Sequence, residues 1–193
     1  MKNILLKIIS RINLASELFL RKNQWKELTS KANVFIPQKL FLNKTFQMIA
    51  EKAETSKITI AGSVNCRNNC FIYVGNNAEL IIEDNVFFNN NCSVNCLESI
   101  TIGKNTMFGE GVKIYDHNHS YERNNGELNI ALNQYTKGKI TIGSNSWIGS
   151  NVVILKGVTI GDNVIIGANA VIHKSVPSNT ILINKQNLET IEK

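Results

Sequence analysis

Isoleucine occupies positions 142, 148, 154, 160, 166 and 172, six times in succession at a spacing of six. An α-helix, with its period of 3.6, would scatter these side chains around its circumference, so the spacing excludes a helix here. The neighbouring columns are nearly as regular. The residue after each isoleucine is Gly143, Gly149, Leu155, Gly161, Gly167 and His173. Three places after each isoleucine stand Asn145, Asn151, Gly157, Asn163, Asn169 and Ser175. Asn and Gly tolerate a left-handed backbone and so mark tight corners. Six residues accommodate one short strand and one corner. Three such units close one triangular coil of a parallel β-helix, with the isoleucines pointing inward and stacked coil on coil.

A looser form of the pattern runs upstream. Ile102-Gly103, Phe108-Gly109 and Ile114 keep the interval, and Val74-Gly75, Ile82 and Phe88 keep it with two-residue slips. The tetrapeptide SVNC occurs at 63–66 and again at 93–96. The β-helix is therefore expected over residues 57–178, with a C-terminal tail over 179–193. Residues 1–56 form a separate N-terminal segment. There Ile4, Leu5, Ile8, Ile9, Ile12, Leu18 and Phe19 recur at helical spacing among Lys7, Arg11, Arg21 and Lys22. An amphipathic helix is expected, either capping the open end of the solenoid or contacting a membrane surface through residues 1–22.

The repeat breaks between Ile114 and Ile142, and residues 115–139 form a protruding loop. A long excursion from a regular solenoid is a place for function. The loop opens with IYDHNHS at 114–120, which holds two of the chain's three histidines. His117 and His119 alternate with Asn118, so in an extended stretch both rings face the same way.

The net charge is +6 over 193 residues, but the basic residues are scattered, which argues against nucleic acid and fits an anionic small molecule, a glycan or a membrane surface. No apolar run is long enough for a signal core or a membrane span, so a cytoplasmic location is expected, with free thiols at Cys66, Cys70, Cys92 and Cys96. Two CxxxC pairs raise a zinc reading, but the spacing is wider than in structural zinc sites, and small buried residues in tight coils is the preferred reading.

The segments ITIGKNTMFGEGVKIYDHNH (100–119) and ITIGSNSWIGSNVVILKGVTIGDNVIIGANAVIHKSVP (140–177) resemble the hexapeptide-repeat acyltransferases, in particular the branch of maltose, galactoside and polysaccharide O-acetyltransferases. The resemblance covers residues 72–178. It implies an all-β, left-handed parallel β-helix and a homotrimer with active sites between subunits. It also implies acetyl-CoA as co-substrate, a carbohydrate acceptor such as capsule or lipopolysaccharide, and no metal. By this resemblance His119 is the general base, with His117 as the alternative and Asp116 placed to orient either ring. Asn89 matches an asparagine that holds the acceptor or the reacting group. Trp147 matches a residue flanking the pantetheine arm, Ala168 and Asn169 match positions where backbone groups meet its amides, and Lys174 matches a lysine near the phosphates. The sequence departs from the family after the last coil, at ILINKQNLET, and throughout its first 56 residues.

Two other readings stand beside this one. A γ-carbonic-anhydrase-like zinc site requires three convergent imidazoles, and His173 is the remaining one. A non-catalytic scaffold requires neither the histidine pair nor the Trp147 to Lys174 pattern.

Overall fold

A computed structural model describes residues 33–36, 40–43, 45–52 and 54–185. The described chain is all-β, a left-handed parallel β-helix of three sheets, as the six-residue repeat predicts. Sheet 1 stacks Val34–Phe35, Lys57–Ile60, Glu79–Ile82, Ser99–Ile102, Ile140–Ile142 and Thr159–Ile160. Sheet 2 stacks Leu40–Leu42, Val64–Cys66, Val86–Phe88, Met107–Phe108, Trp147–Ile148, Ile165–Ile166 and Ile181–Leu182. Sheet 3 stacks Gln47–Ala50, Phe71–Val74, Ser93–Cys96, Lys113–Tyr115, Val153–Leu155 and Val171–Ile172.

The isoleucine column points inward: Ile142, Ile148, Ile154, Ile160 and Ile166 are at most 1% exposed. Each fully buried aliphatic side chain stabilises the fold by about 1.5–3 kcal/mol. Phe88 and Phe108 take the same inward place in sheet 2 and stack at 4.7 Å and 6°. The glycine column has a steric cause. A Cβ on Gly143 would meet the carbonyl carbon of Gly161 at 2.5 Å, and one on Gly149 would meet the Ala168 nitrogen at 2.6 Å. The asparagine column has two causes. Asn85, Asn105, Asn145, Asn163 and Asn179 all adopt positive φ, and each side-chain amide in turn donates to the next along one edge of the prism, at 3.0, 2.9, 3.3 and 3.1 Å.

The solenoid begins earlier than the repeat indicates. Val34 pairs with Ile58, Leu40 with Val64 and Met48 with Ile72, so residues expected in a separate segment form the first coil. Val34 and Phe46 fill its core, with no isoleucine–glycine column to announce them. The helix expected over residues 1–22, with its capping or membrane role, lies outside the described residues, as does the tail beyond residue 185.

Coil length is not constant, and the variation sits at one edge. From the sheet 1 marker to the sheet 3 marker the chain always travels the same distance: Ile60 to Ile72, Ile82 to Val94, Ile102 to Ile114, Ile142 to Ile154. The return from sheet 3 to sheet 1 differs in every coil: Met48 to Ile60, Ile72 to Ile82, Val94 to Ile102, Ile114 to Ile142, Ile154 to Ile160. All the surplus residues, including the long excursion, therefore lie on the edge between sheets 3 and 1.

Candidate active site

The excursion is an antiparallel hairpin, His117–Asn124 against Glu127–Lys137. Its tip is Asn125-Gly126, both at positive φ (52° and 86°), the pair that a tight two-residue turn requires. This Asn-Gly signal was available in the sequence, where the segment reads only as a loop.

Asp116 anchors the root. It is fully buried, and its carboxylate accepts hydrogen bonds from three successive backbone N–H groups: Leu97 at 2.8 and 3.0 Å, Glu98 at 2.7 Å and Ser99 at 3.0 Å. These bonds offset the cost of burying the charge. The Leu97 carbonyl accepts from Lys137 Nζ at 2.8 Å. The corner 97–99 thus holds both the entry and the exit of the hairpin.

His117 Nδ1 lies 3.1 Å from Asp116 Oδ1, and its side chain is 18% exposed. His119 is exposed, with Nδ1 3.3 Å from the Ala131 carbonyl. In each case the Nδ1 partner is an acceptor, so Nδ1 carries the hydrogen and Nε2 is left to accept a proton. The Tyr135 ring lies against both imidazoles, 5.2 Å from His117 at 84° and 4.8 Å from His119 at 44°. Tyr135 and Lys137 escape the sequence because only the hairpin register brings them opposite His119 and His117.

Beside His117 opens a cavity of about 580 Å³. It lies between the hairpin and the outer face of sheet 3, and Glu51, Tyr73, Asn95, Tyr135 and Lys137 line it with His117. Tyr73 donates to Glu51 Oε2 at 3.0 Å, and burial together with that carboxylate holds its hydroxyl above the usual phenol range.

The other expected site residues lie elsewhere on the same chain. Asn89 is half-buried at the corner from sheet 2 to sheet 3, where its Oδ1 accepts from its neighbour Asn90 N–H at 2.9 Å. Trp147 stands on the outer face of sheet 2, 53% exposed. Ala168 and Asn169 share the Asn89 edge, and Asn169 accepts from Asn151 within an asparagine stack at 3.3 Å. Lys174 is exposed on the edge between sheets 3 and 1, downstream of the hairpin. One chain therefore brings together His117, His119 and Asp116, and it leaves Asn89, Trp147, Ala168 and Asn169 on other sides of the prism.

The four cysteines are buried free thiols, as the preferred sequence reading expects. Cys70 and Cys92 occupy equivalent places on successive coils, where their thiols donate to the Asn89 and Gly109 carbonyls at 3.0 and 3.2 Å, and their proximity lowers Cys70 while raising Cys92. Burial raises Cys66 and Cys96 as well. Among the described residues no group of three or more His, Cys, Asp or Glu side chains is arranged to hold a metal ion.

Residues 139–174 match the family described as bacterial transferase hexapeptide (six repeats). WbbJ of Escherichia coli K12, provisionally named a lipopolysaccharide biosynthesis O-acetyl transferase, is 34% identical over 147 residues, covering 67% of this chain and 75% of WbbJ. A Dictyostelium discoideum protein provisionally named an acetyltransferase is 51% identical over 87 residues, covering 43% and 42% of the two chains. Among solved structures, AntD, an N-acyltransferase from Bacillus cereus in complex with dTDP and 3-hydroxybutyryl-CoA, shares the fold. Its TM-score is 0.63 at 14% identity, over 82% of this chain and 83% of AntD. The chain belongs to the hexapeptide-repeat acyltransferase family and is an enzyme of that class.

Proposed function

We propose that the protein moves an acetyl group from acetyl-CoA to a hydroxyl of a sugar or surface glycan, in a ternary complex, with His119 as general base. The observation that carries this reading is the imidazole pair at the hairpin root, each ring tethered through Nδ1 and each with no Nε2 partner among the described residues. The printed name of WbbJ supports the carbohydrate acceptor, and AntD supports a CoA thioester donor on this fold.

In the reaction, His119 Nε2 takes the proton of the acceptor hydroxyl as the oxygen attacks the thioester carbonyl. The new C–O bond forms, the C–S bond breaks, and the imidazolium returns the proton to the CoA sulfur. Asp116 and His117 fix the strand that presents His119, and Tyr135 keeps the two rings apart. Asn89 or a backbone N–H stabilises the oxyanion.

The active unit in this reading is a homotrimer. Its support is the placement of the candidate residues on different edges of one prism. Packing the edge between sheets 3 and 1 of one copy beside the sheet 2 side of the next puts the histidines near Trp147, Ala168 and Asn169. The hairpin also exposes Tyr121, Leu128, Ile130 and Leu132, apolar surface that a neighbouring copy would cover. The enzyme works in the cytoplasm in this reading.

The test is thiol release from acetyl-CoA across a saccharide panel. His119→Ala is expected to lower acceptor-dependent release by about 10²–10⁴-fold. If His119→Ala keeps its activity while His117→Ala loses it, the base is His117. If neither substitution lowers acceptor-dependent release, the imidazole mechanism fails.

A further inference from the structure

We propose that the cavity beside His117 is an elongated acceptor subsite, built for a chain of sugar rings rather than a single sugar; this rests on the acetyl-transfer reading above. The cavity crosses several coils. Glu51, Tyr73, Asn95 and His117 line it, one from each of four successive coils. Three steps between coils, at about 4.8 Å each, give a length of roughly 14 Å, longer than one pyranose ring. The volume of about 580 Å³ lies within the usual range for ligand sites.

The lining chemistry suits a glycan. Tyr73 on the floor and Tyr135 on the hairpin offer ring faces for the C–H faces of sugars, and Glu51, Asn95 and Lys137 offer hydrogen-bond groups for hydroxyls. Glu51, Tyr135 and Lys137 owe their places to the surplus residues. Glu51 and Asn76 sit in the lengthened returns from Met48 to Ile60 and from Ile72 to Ile82, where Glu51 Oε2 also accepts from the Asn76 N–H at 3.3 Å. The strict coils downstream have no counterpart, so closing a coil does not require these residues. The subsite runs from His117 toward the first coil, whereas Trp147, Ala168, Asn169 and Lys174 all lie downstream of the hairpin. Donor and acceptor would approach the histidines from opposite ends of the prism.

The experiment uses the full chain with acetyl-CoA and three graded series: glucose, maltose and maltotriose; N-acetylglucosamine and its β1,4-linked dimer and trimer; rhamnose and its dimer and trimer. Thiol release gives KM for each sugar, and equilibrium dialysis gives the acetyl-CoA Kd. In a series that reacts, KM is expected to fall by roughly tenfold or more from monomer to trimer, the equivalent of one well-packed ring contact. Tyr73→Ala should raise the trimer KM by about tenfold with the acetyl-CoA Kd unchanged, and Tyr73→Phe should restore most of it, because the ring face carries the contact. Equal KM for monomer and trimer overturns the proposal and leaves acetyl transfer to sugars standing. So does a rise in the acetyl-CoA Kd in Tyr73→Ala, which would assign the cavity to the donor. If acetyl-CoA binds but no saccharide is acetylated, the sugar-acceptor reading fails and this inference fails with it.

Discussion

Upstream of the hairpin every coil closes the edge between sheets 3 and 1 with surplus residues, and no two do so alike; downstream the returns, Ile154 to Ile160 and Ile172 to Val176, are short. From Ile142 to Ile172 the inward residues follow at a constant interval, and corner glycines and asparagines repeat with them. From Val34 to Tyr115 two edges keep that interval while the third is lengthened by a different amount each time. Both halves bury the same kind of core. The difference is confined to the edge that carries Glu51, Asn76, Leu97, Asp116 and the hairpin. Two constant edges set the stacking of the coils, which leaves the third edge free to accept insertions, and the candidate site is made of them.

The sharpest way to separate the two roles is to remove the hairpin and keep its root. Replacing residues 120–134 by a two-residue turn should leave thermal stability nearly unchanged, because the excised side chains lie outside the core. Acceptor-dependent thiol release should fall by at least about 100-fold, since His119 loses the Ala131 carbonyl that holds its Nδ1 and the cavity loses Asn133. Calorimetry and thiol release on the same preparation check both halves of this expectation. A loss of fold would mean that the hairpin closes the coil as well as serving the site.

Asp116 joins the two roles. Asp116→Ala leaves three backbone N–H groups at Leu97, Glu98 and Ser99 without their acceptor inside the protein. Each such group costs about 1–3 kcal/mol, so the total is expected at roughly 3 kcal/mol or more, read as a lowered midpoint in denaturant. Activity should fall too, because His117 loses its Nδ1 partner. Asp116→Asn keeps the shape and one carbonyl acceptor and should fall between wild type and Asp116→Ala in both measurements.

The downstream coils were legible in the sequence because every column has a local cause: isoleucine for the core, glycine for close stacking, asparagine for the corner. The first coil was not legible. Val34, Leu40, Phe46 and Met48 fill it without the glycine and asparagine columns, and register with the second coil alone reveals it. In the site, His117, His119 and Asp116 stood out as a short polar cluster after a regular run. Tyr135, Lys137, Tyr73 and Glu51 did not, since a hairpin register or a stack of coils brings each of them to the histidines from a distant place in the chain. Repetition is readable locally, whereas a pocket lined by insertions becomes readable only after folding.

Two glycines give the comparison a smaller, graded test. Gly143→Ala drives a methyl against the Gly161 backbone at 2.5 Å, with nowhere to move. It should cost about 1–3 kcal/mol. Gly75→Ala, upstream, meets Leu97 Cδ2 at the same 2.5 Å, the far end of a flexible side chain. That side chain can turn aside, so the cost should stay below about 1 kcal/mol. Denaturant midpoints of the two variants decide the matter, and equal losses would mean that the upstream coils stack as rigidly as the downstream ones.

The smallest effect is a pH slope in the upstream core. Burial raises Cys96 first, and the Asp116 carboxylate raises it further; burial raises Cys66 too. In the unfolded chain these thiols ionise near pH 8.5. A thiol whose folded pKa lies above that value keeps its proton longer in the native state, so its contribution is whole below about pH 8.5 and is lost as pH rises above it. Stability should therefore decline from pH 8.5 to 10 as the unfolded chain sheds protons that the native coils retain. Cys96→Ala should flatten the decline, measured by denaturant midpoints across that range. An equally steep slope in Cys96→Ala would shift the origin of the effect to Cys66 and Cys92.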